Sequence, residues 1–375
     1  MTSGLLRSAW RPARMQWSSF TGVTSPDTTT VWLFGPIPPP VHGAARVTQQ
    51  VREGVEATST RLVAIDTGGG AGLVPRLRQM IGGLLRLAVP RRGSGRGSVY
   101  IGGAGGPTLW YQAVVVLLGR LTGRRVVFHH HSYAYVDRTM PAMRALTRAG
   151  GRRLTHVALC EGMGEGLRAR YPSVGDVRVC SNAGLMAAPG PLAQADAGRT
   201  IVLGHLSNLS VDKGLADVID TLRRAVAAGL DVRLLLGGPP ATPEAEALVA
   251  DAVAELGDAL TVLGRVERDG IDAFYEQIDV FVFPSRYVHE AEPLVVLDAS
   301  RHGVPTIACA VGCLPGMVAP QHLVPVDADF AEAAVAAIGD LGSVAAHGVA
   351  ERFVQRRDAA LTAQAELVDW LRHRT

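Results

Sequence analysis

The chain has 375 residues, 47% of them apolar and 19% charged, a composition that suits two α/β domains with substantial cores. It contains no run of about eighteen apolar residues, which argues against a membrane-spanning helix, and its net charge is only +3. That small sum hides an asymmetry: residues 1–190 carry 23 Arg against 8 Asp and Glu, whereas residues 191–375 carry 14 Lys and Arg against 26 acids. Halves of opposite sign imply two bodies with different partners, the basic one suited to something anionic. No zinc-finger spacing or aromatic stacking motif accompanies the charge, so a membrane or a phosphorylated acceptor is expected ahead of nucleic acid. The four cysteines, Cys160, Cys180, Cys309 and Cys313, make no disulfide framework and predict the cytosolic side of a membrane.

Residues 1–30 lack the continuous apolar core of a signal peptide and read as a poorly ordered leader. From residue 31 onward, short β-branched runs alternate with helical patterns. Strands are expected at 31–35, 61–66, 98–102, 124–130, 156–160 and 177–182. An Ala-, Gly- and Pro-rich stretch at 183–198 then reads as a linker. A second series of strands follows at 200–206, 231–237, 260–266, 280–285 and 304–310, and a last helix covers 349–372. This alternation predicts parallel sheets covered on both faces. The fold class is therefore α/β, with two doubly wound, Rossmann-like domains facing a cleft. They span 31–185 and 199–348, separated by the linker 186–198 and followed by a helical segment, 349–375. Ligands in such sheets bind at the carboxyl ends of the strands. The stretch 73–92, LVPRLRQMIGGLLRLAVPRR, interleaves apolar residues with five arginines. It reads either as a basic amphipathic helix on an anionic membrane surface or as an ordinary helix covering the sheet.

The densest chemical signal is residues 281–318, FVFPSRYVHEAEPLVVLDASRHGVPTIACAVGCLPGMV. A buried strand runs into an acidic loop, and Pro293 suits the first turn of a helix that stops at Gly303. The free N–H groups at the start of that helix make an anion site at the end of a strand. Glu290 precedes the helix and Asp298 lies inside it, with seven residues between them. This spacing resembles the E-x7-E signature of retaining GT-B glycosyltransferases of family four, and the resemblance extends over residues 31 to about 372. It implies that Glu290 contacts the donor sugar and that Asp298, one methylene shorter than the usual glutamate, contacts the nucleotide ribose. It also implies that Ala291, Glu292, Leu294 and Val295 line the donor loop and helix start, and that the terminal helix crosses back to the first domain. Pro293 can offer no N–H to that cradle.

Lys213 is the only lysine among 37 basic residues. It occupies the lysine of the family's G-R-L-x-x-x-K-G segment, here SNLSVDKG, where it would stabilise the leaving diphosphate. Asn208 stands where the family has an arginine, which leaves His205, Arg265 or Arg286 to supply that charge. Three histidines end the strand in VVFHHHSYAY; His131, with His130 second, aligns with a family histidine facing the donor sugar. Adjacent strand residues face opposite ways, so the three do not chelate a metal readily. The first turn, FGPIPPPVHGAARV, resembles the family's phosphate or acceptor loop, with Gly43 allowing close backbone approach and His42 beside it. Asn182 reads as an architectural residue at the domain junction.

Three other patterns carry less. Asp327 and Asp329 form a D-x-D, the metal motif of GT-A enzymes, but capping of the following helix explains them. Cys309 and Cys313 lack the second pair that zinc needs. The glycine clusters at 66–72 and 101–107 do not fit a dinucleotide fingerprint. The resemblance thus implies a retaining, metal-independent transfer from a UDP- or GDP-sugar to a hydroxyl acceptor, with no cofactor beyond the co-substrate. The acceptor would be lipid-linked or a saccharide, and the enzyme cytoplasmic or peripheral on the inner membrane face. A nucleotide-sugar epimerase, or a partner subunit that has lost transfer, are the alternative readings.

Overall fold

The computed structural model describes residues 29–39, 43–58, 60–68, 72–89, 97–192, 200–340 and 346–373. Residues 1–28 of the expected leader, residues 193–199 and His42 lie outside the described residues. Six strands, β1 (Thr30–Gly35), β2 (Arg61–Asp66), β3 (Ser98–Gly103), β4 (Arg125–His130), β5 (Leu154–Ala158) and β6 (Val177–Val179), form one parallel sheet in the order β2-β1-β3-β4-β5-β6. Six more, β7 (Ile201–Leu206), β8 (Val232–Gly237), β9 (Leu260–Gly264), β10 (Val280–Phe283), β11 (Thr306–Cys309) and β12 (Leu323–Val324), form a second in the order β12-β11-β10-β7-β8-β9. The expected strands are all present; only their ends moved. The strand expected at 156–160 begins two residues earlier, because Leu159 and Cys160 already turn into the next helix.

Period-two alternation sorts the first sheet's side chains onto two faces. Trp32, Phe34, Val99, Ile101, Val126 and Phe128 share a core with α2 (Leu73–Ala88), α3 (Thr108–Leu121), the short α4 (Ala134–Asp137), α5 (Pro141–Gly150) and α6 (Glu161–Arg170). Val31, Leu33, Tyr100, Val127 and Val157 point the other way, against α1 (Gly43–Glu56) and the terminal helix. The second sheet is covered by α7 (Leu215–Ala227), α8 (Pro243–Leu256) and α11 (Phe330–Asp340) on one face. On the other lie α9 (Ile271–Tyr275) and α10 (Leu294–Arg301).

The last helix, α12 (Ala346–Arg372), begins in the second domain and ends on the first. Phe353 packs with Leu297 of α10, while Leu367 and Leu371 are fully buried against β1, β3 and β4. Ser98 donates to the Leu371 carbonyl at 2.5 Å, and Arg125 reaches the carbonyls of Trp370 and His373.

The cysteine reading needs correction. Cys160, at the start of α6, is bonded to Cys313, in the loop after β11, so one disulfide joins the two domains across 153 residues of sequence. Cys180 and Cys309 are free and buried. Spacing could not reveal this pair, because it forms only once the two domains are docked.

Candidate active site

In each open parallel sheet the crevice lies where the strand order reverses, and in the second sheet that point is between β7 and β10. The segments leaving these two strands hold Lys213 and Glu290. Lys213 Nζ lies 2.5 Å from Glu290 Oε2, and Ser285 Oγ donates to the same oxygen at 3.1 Å. The ammonium also sits 4.8 Å from the Tyr287 ring centroid. Two glycines make this meeting possible. Gly214, the N-cap of α7, has φ 77°, and any side chain there would lie 2.6 Å from Pro284. Gly312 has φ 57°, and a side chain would lie 2.6 Å from the Glu290 carbonyl. The two loops can therefore close on each other only with glycine at both positions.

Helix α10 points its N-terminus into the same crevice. Its N-cap is Pro293 itself, in extended conformation, one position earlier than the first helical turn expected from sequence. The side chains of Leu294 and Val295 turn into cores, so their backbone N–H groups, unpaired within the helix by position, are what the helix start presents. Ala291 is buried, and its carbonyl accepts from Cys313 N at 2.8 Å. Glu292 does not turn its carboxylate to the donor side. It accepts from Ser181 Oγ at 2.6 Å and Asn182 N at 2.5 Å and pairs with Arg356 of α12 at 3.3 Å, while Asn182 Nδ2 donates to its carbonyl. Burial raises the Glu292 pKa, and Arg356 opposes the shift. Asn182 is thus a junction residue, as its sequence context suggested. Asp298 is held by Arg301 at 3.3 Å; burial raises its pKa, with Arg301 and Arg46 opposing.

The cation absent at exposed Asn208 is not replaced by any of the three residues considered from sequence. His205 is fully buried between the Val282 carbonyl and Ser207, and burial pushes its pKa down to about 4, so it is neutral. Arg286 is bound to Asp217 of α7. Arg265 is 68% exposed and pairs loosely with Glu267 at 4.0 Å, and among the described residues no contact joins it to Lys213 or Glu290. Sequence reasoning missed Arg46, on the first turn of α1. It donates to the Leu185 carbonyl at 3.3 Å; burial and the nearby Arg268 guanidinium lower its pKa, and Asp298 of the second domain opposes the shift. Its position, three residues after Gly43, was the available signal. Gly43 itself faces α10: a side chain there would lie 3.9 Å from Leu294.

His131 follows the end of β4. Next to it, Ser132 Oγ bonds His289 Nδ1 at 2.8 Å, which brings this strand end against the loop that carries Glu290. His129 and His130 are interior residues. His129 meets Tyr100 Oη at 2.9 Å, and His130 bridges Tyr135 Oη at 3.1 Å and His156 at 3.0 Å. Burial pushes the pKa of His129 and His156 down to about 3. Asp329 caps α11 by accepting from Glu332 N at 3.1 Å, which accounts for the D-x-D. No group of three or more His, Cys, Asp or Glu suited to a metal ion occurs among the described residues.

Residues 200–341 match the family glycosyl transferases group 1. Solved structures share the fold over nearly the full chain. HepE of Anabaena, in complex with UDP and glucose, is 15% identical, with 92% of this chain and 99% of that one covered and a TM-score of 0.63. The lipopolysaccharide outer core galactosyltransferase WaaB is 13% identical, with 92% and 99% covered and a TM-score of 0.66. Sucrose-phosphate synthase from Thermosynechococcus elongatus is 18% identical, with 92% and 98% covered and a TM-score of 0.61. No curated protein matches the sequence. The chain therefore has the two-domain fold of these GT-B glycosyltransferases.

Proposed function

We propose that the protein is a family-four enzyme that moves a sugar from a UDP-sugar to a hydroxyl acceptor, with retention and without a metal ion. The observation that carries the reading is the contact of Lys213 Nζ with Glu290 at 2.5 Å, at the crevice into which α10 points its N-terminus. The complex of HepE with UDP-glucose supports a uridine donor, and the likeness to WaaB supports an acceptor in envelope polysaccharide or glycolipid synthesis. The work would take place at the inner face of the cell membrane. No helix among the described residues is long and apolar enough to cross a membrane.

The chemistry follows from where charge develops. As the bond from the anomeric carbon to the diphosphate breaks, its electron pair stays on the leaving oxygen. Lys213 and the N–H groups of Leu294 and Val295 stabilise that charge, with Arg46 completing the cation set from the first domain. The acceptor hydroxyl attacks from the same face and gives its proton to that phosphate oxygen. Glu290, already bound by Lys213 and Ser285, orients the sugar and forms no covalent intermediate. His131 would contact a sugar hydroxyl, Asp298 the ribose, and Gly43 with His42 the acceptor or phosphate side. The test is incubation with UDP- and GDP-sugars and a lipid-linked acceptor in the presence of EDTA, followed by determination of the product anomer. Retained configuration from a UDP-sugar is expected; an inverted anomer, or activity restored only by a divalent metal, overturns the proposal.

A further inference from the structure

Nine of the nineteen large apolar side chains that the described residues leave exposed lie on two neighbouring helices of the first domain. On α2 they are Val74, Leu77, Ile81 and Leu85, with Val89 just beyond its end; on α3 they are Trp110, Val114, Leu117 and Leu121. Their exposure ranges from 43% to 73%. Both sets recur every three or four positions, so each is a stripe along one side of its helix. These stripes are not the sheet-facing sides. Leu87 of α2 and Leu109, Ala113 and Val116 of α3 already fill the core beneath. The helices are neighbours: Tyr111 Oη donates to the Met80 carbonyl at 3.3 Å. A water-facing helix normally carries polar groups on its outer side, and a contiguous apolar face of this size marks a binding surface.

The charge around the stripes identifies what covers them. Between Asp66 and Asp137 there is no carboxylate, while the same stretch carries nine arginines. Arg78 and Arg86 are exposed on α2. On the far side of α3 stands α5, tied to it by Arg120 Nη1 donating to the Ala149 carbonyl at 2.7 Å. There Arg144 and Arg148, with Thr139, Pro141 and Ala145, line a shallow basic concavity. Apolar side chains flanked by arginine, with no acid on α2, α3 or α5, match the layering of a bilayer in which acyl chains lie under anionic phosphate headgroups. We infer that the outer face of α2, α3 and α5 docks on an anionic lipid bilayer. The expected basic amphipathic helix is thus one part of a three-helix surface, with α3 supplying as many exposed apolar groups as the helix itself. This inference holds whichever sugar nucleotide is the donor.

The test is co-sedimentation of the full chain with vesicles of phosphatidylcholine alone or with 30% phosphatidylglycerol, at low and high salt. Binding is expected to the anionic vesicles, weakened at high salt. The double variant Ile81→Glu, Leu85→Glu should bind about thirtyfold more weakly or less, and so should Trp110→Glu, Leu117→Glu on the other helix. Arg144→Glu, Arg148→Glu should lose affinity for anionic vesicles only. Circular dichroism and donor-induced thermal shift verify that each variant folds. Folded apolar variants that bind as wild type overturn the inference, as does equal binding to both vesicle types. A wild-type dimer that becomes monomeric on Leu85→Glu, with no vesicle binding, would instead make the face an interface between copies and also overturn it.

Discussion

The two domains share a six-stranded parallel plan and use their polar residues in opposite ways. In the second domain polar side chains gather at the mouth of the sheet, where Lys213, Ser285 and Glu290 meet between two adjacent strands. In the first, polar residues turn inward as two separate buried groups, a Tyr100–His129 pair and a Tyr135–His130–His156 chain, with the histidines held neutral by desolvation. Among the described residues, the first domain approaches this crevice through the bond of Ser132 to His289 and through Gly43, which faces Leu294. The lesson is that a run of histidines at a strand end can be interior scaffolding, whereas one lysine in a glycine-bounded loop can carry the reaction.

The contrast can be broken experimentally. Lys213→Ala should lower kcat/KM about a thousandfold, equivalent to about 4 kcal/mol, with little change in the unfolding midpoint; steady-state kinetics beside a thermal melt would show it. Glu292→Ala should instead act on stability. It strips partners from Ser181, the Asn182 amide and Arg356, and urea unfolding should register a loss of about 3 kcal/mol.

Acid should expose the interior histidines. Burial depresses the folded-state pKa of His129, His130, His156 and His205. The unfolded chain therefore takes up protons first, and stability falls as pH drops below about 6.5. Each histidine contributes roughly 0.7 kcal/mol between pH 7 and pH 6 if it stays neutral when folded. Glu292 and Asp298, whose folded-state pKa values are raised, take up protons first in the folded protein and oppose the trend at lower pH. Urea midpoints across this range would reveal the net slope. His130→Phe should cost about 2 kcal/mol of stability, because Tyr135 and His156 lose a buried partner, yet leave most turnover intact. The smallest effect is expected for Arg46→Ala, about a tenfold fall in kcat/KM carried mainly by kcat; unchanged kinetics would remove Arg46 from the site.

The fold was legible because alternating β-branched runs and helical patterns repeat along both halves, and each expected strand is present. Lys213 and Glu290 were legible because local loop chemistry places them at strand ends. The remainder depends on docking between distant segments. Arg46 gains meaning only when α1 faces α10, and nothing in the EAEP segment distinguishes Glu290, which faces the crevice, from Glu292, which turns to Asn182. The loop after β9 leaves the Arg265 side chain in solvent, a placement that sequence does not reveal.

The link between Cys160 and Cys313 gives the molecule a second covalent connection besides the chain that runs from β6 to β7. The backbone of Cys313 is bonded to Ala291, and the next residue, Glu292, grips Asn182. The bridge therefore fastens beside the domain junction. A tether there opposes sliding of one lobe along the other, so in the oxidised protein the lobes keep the same register.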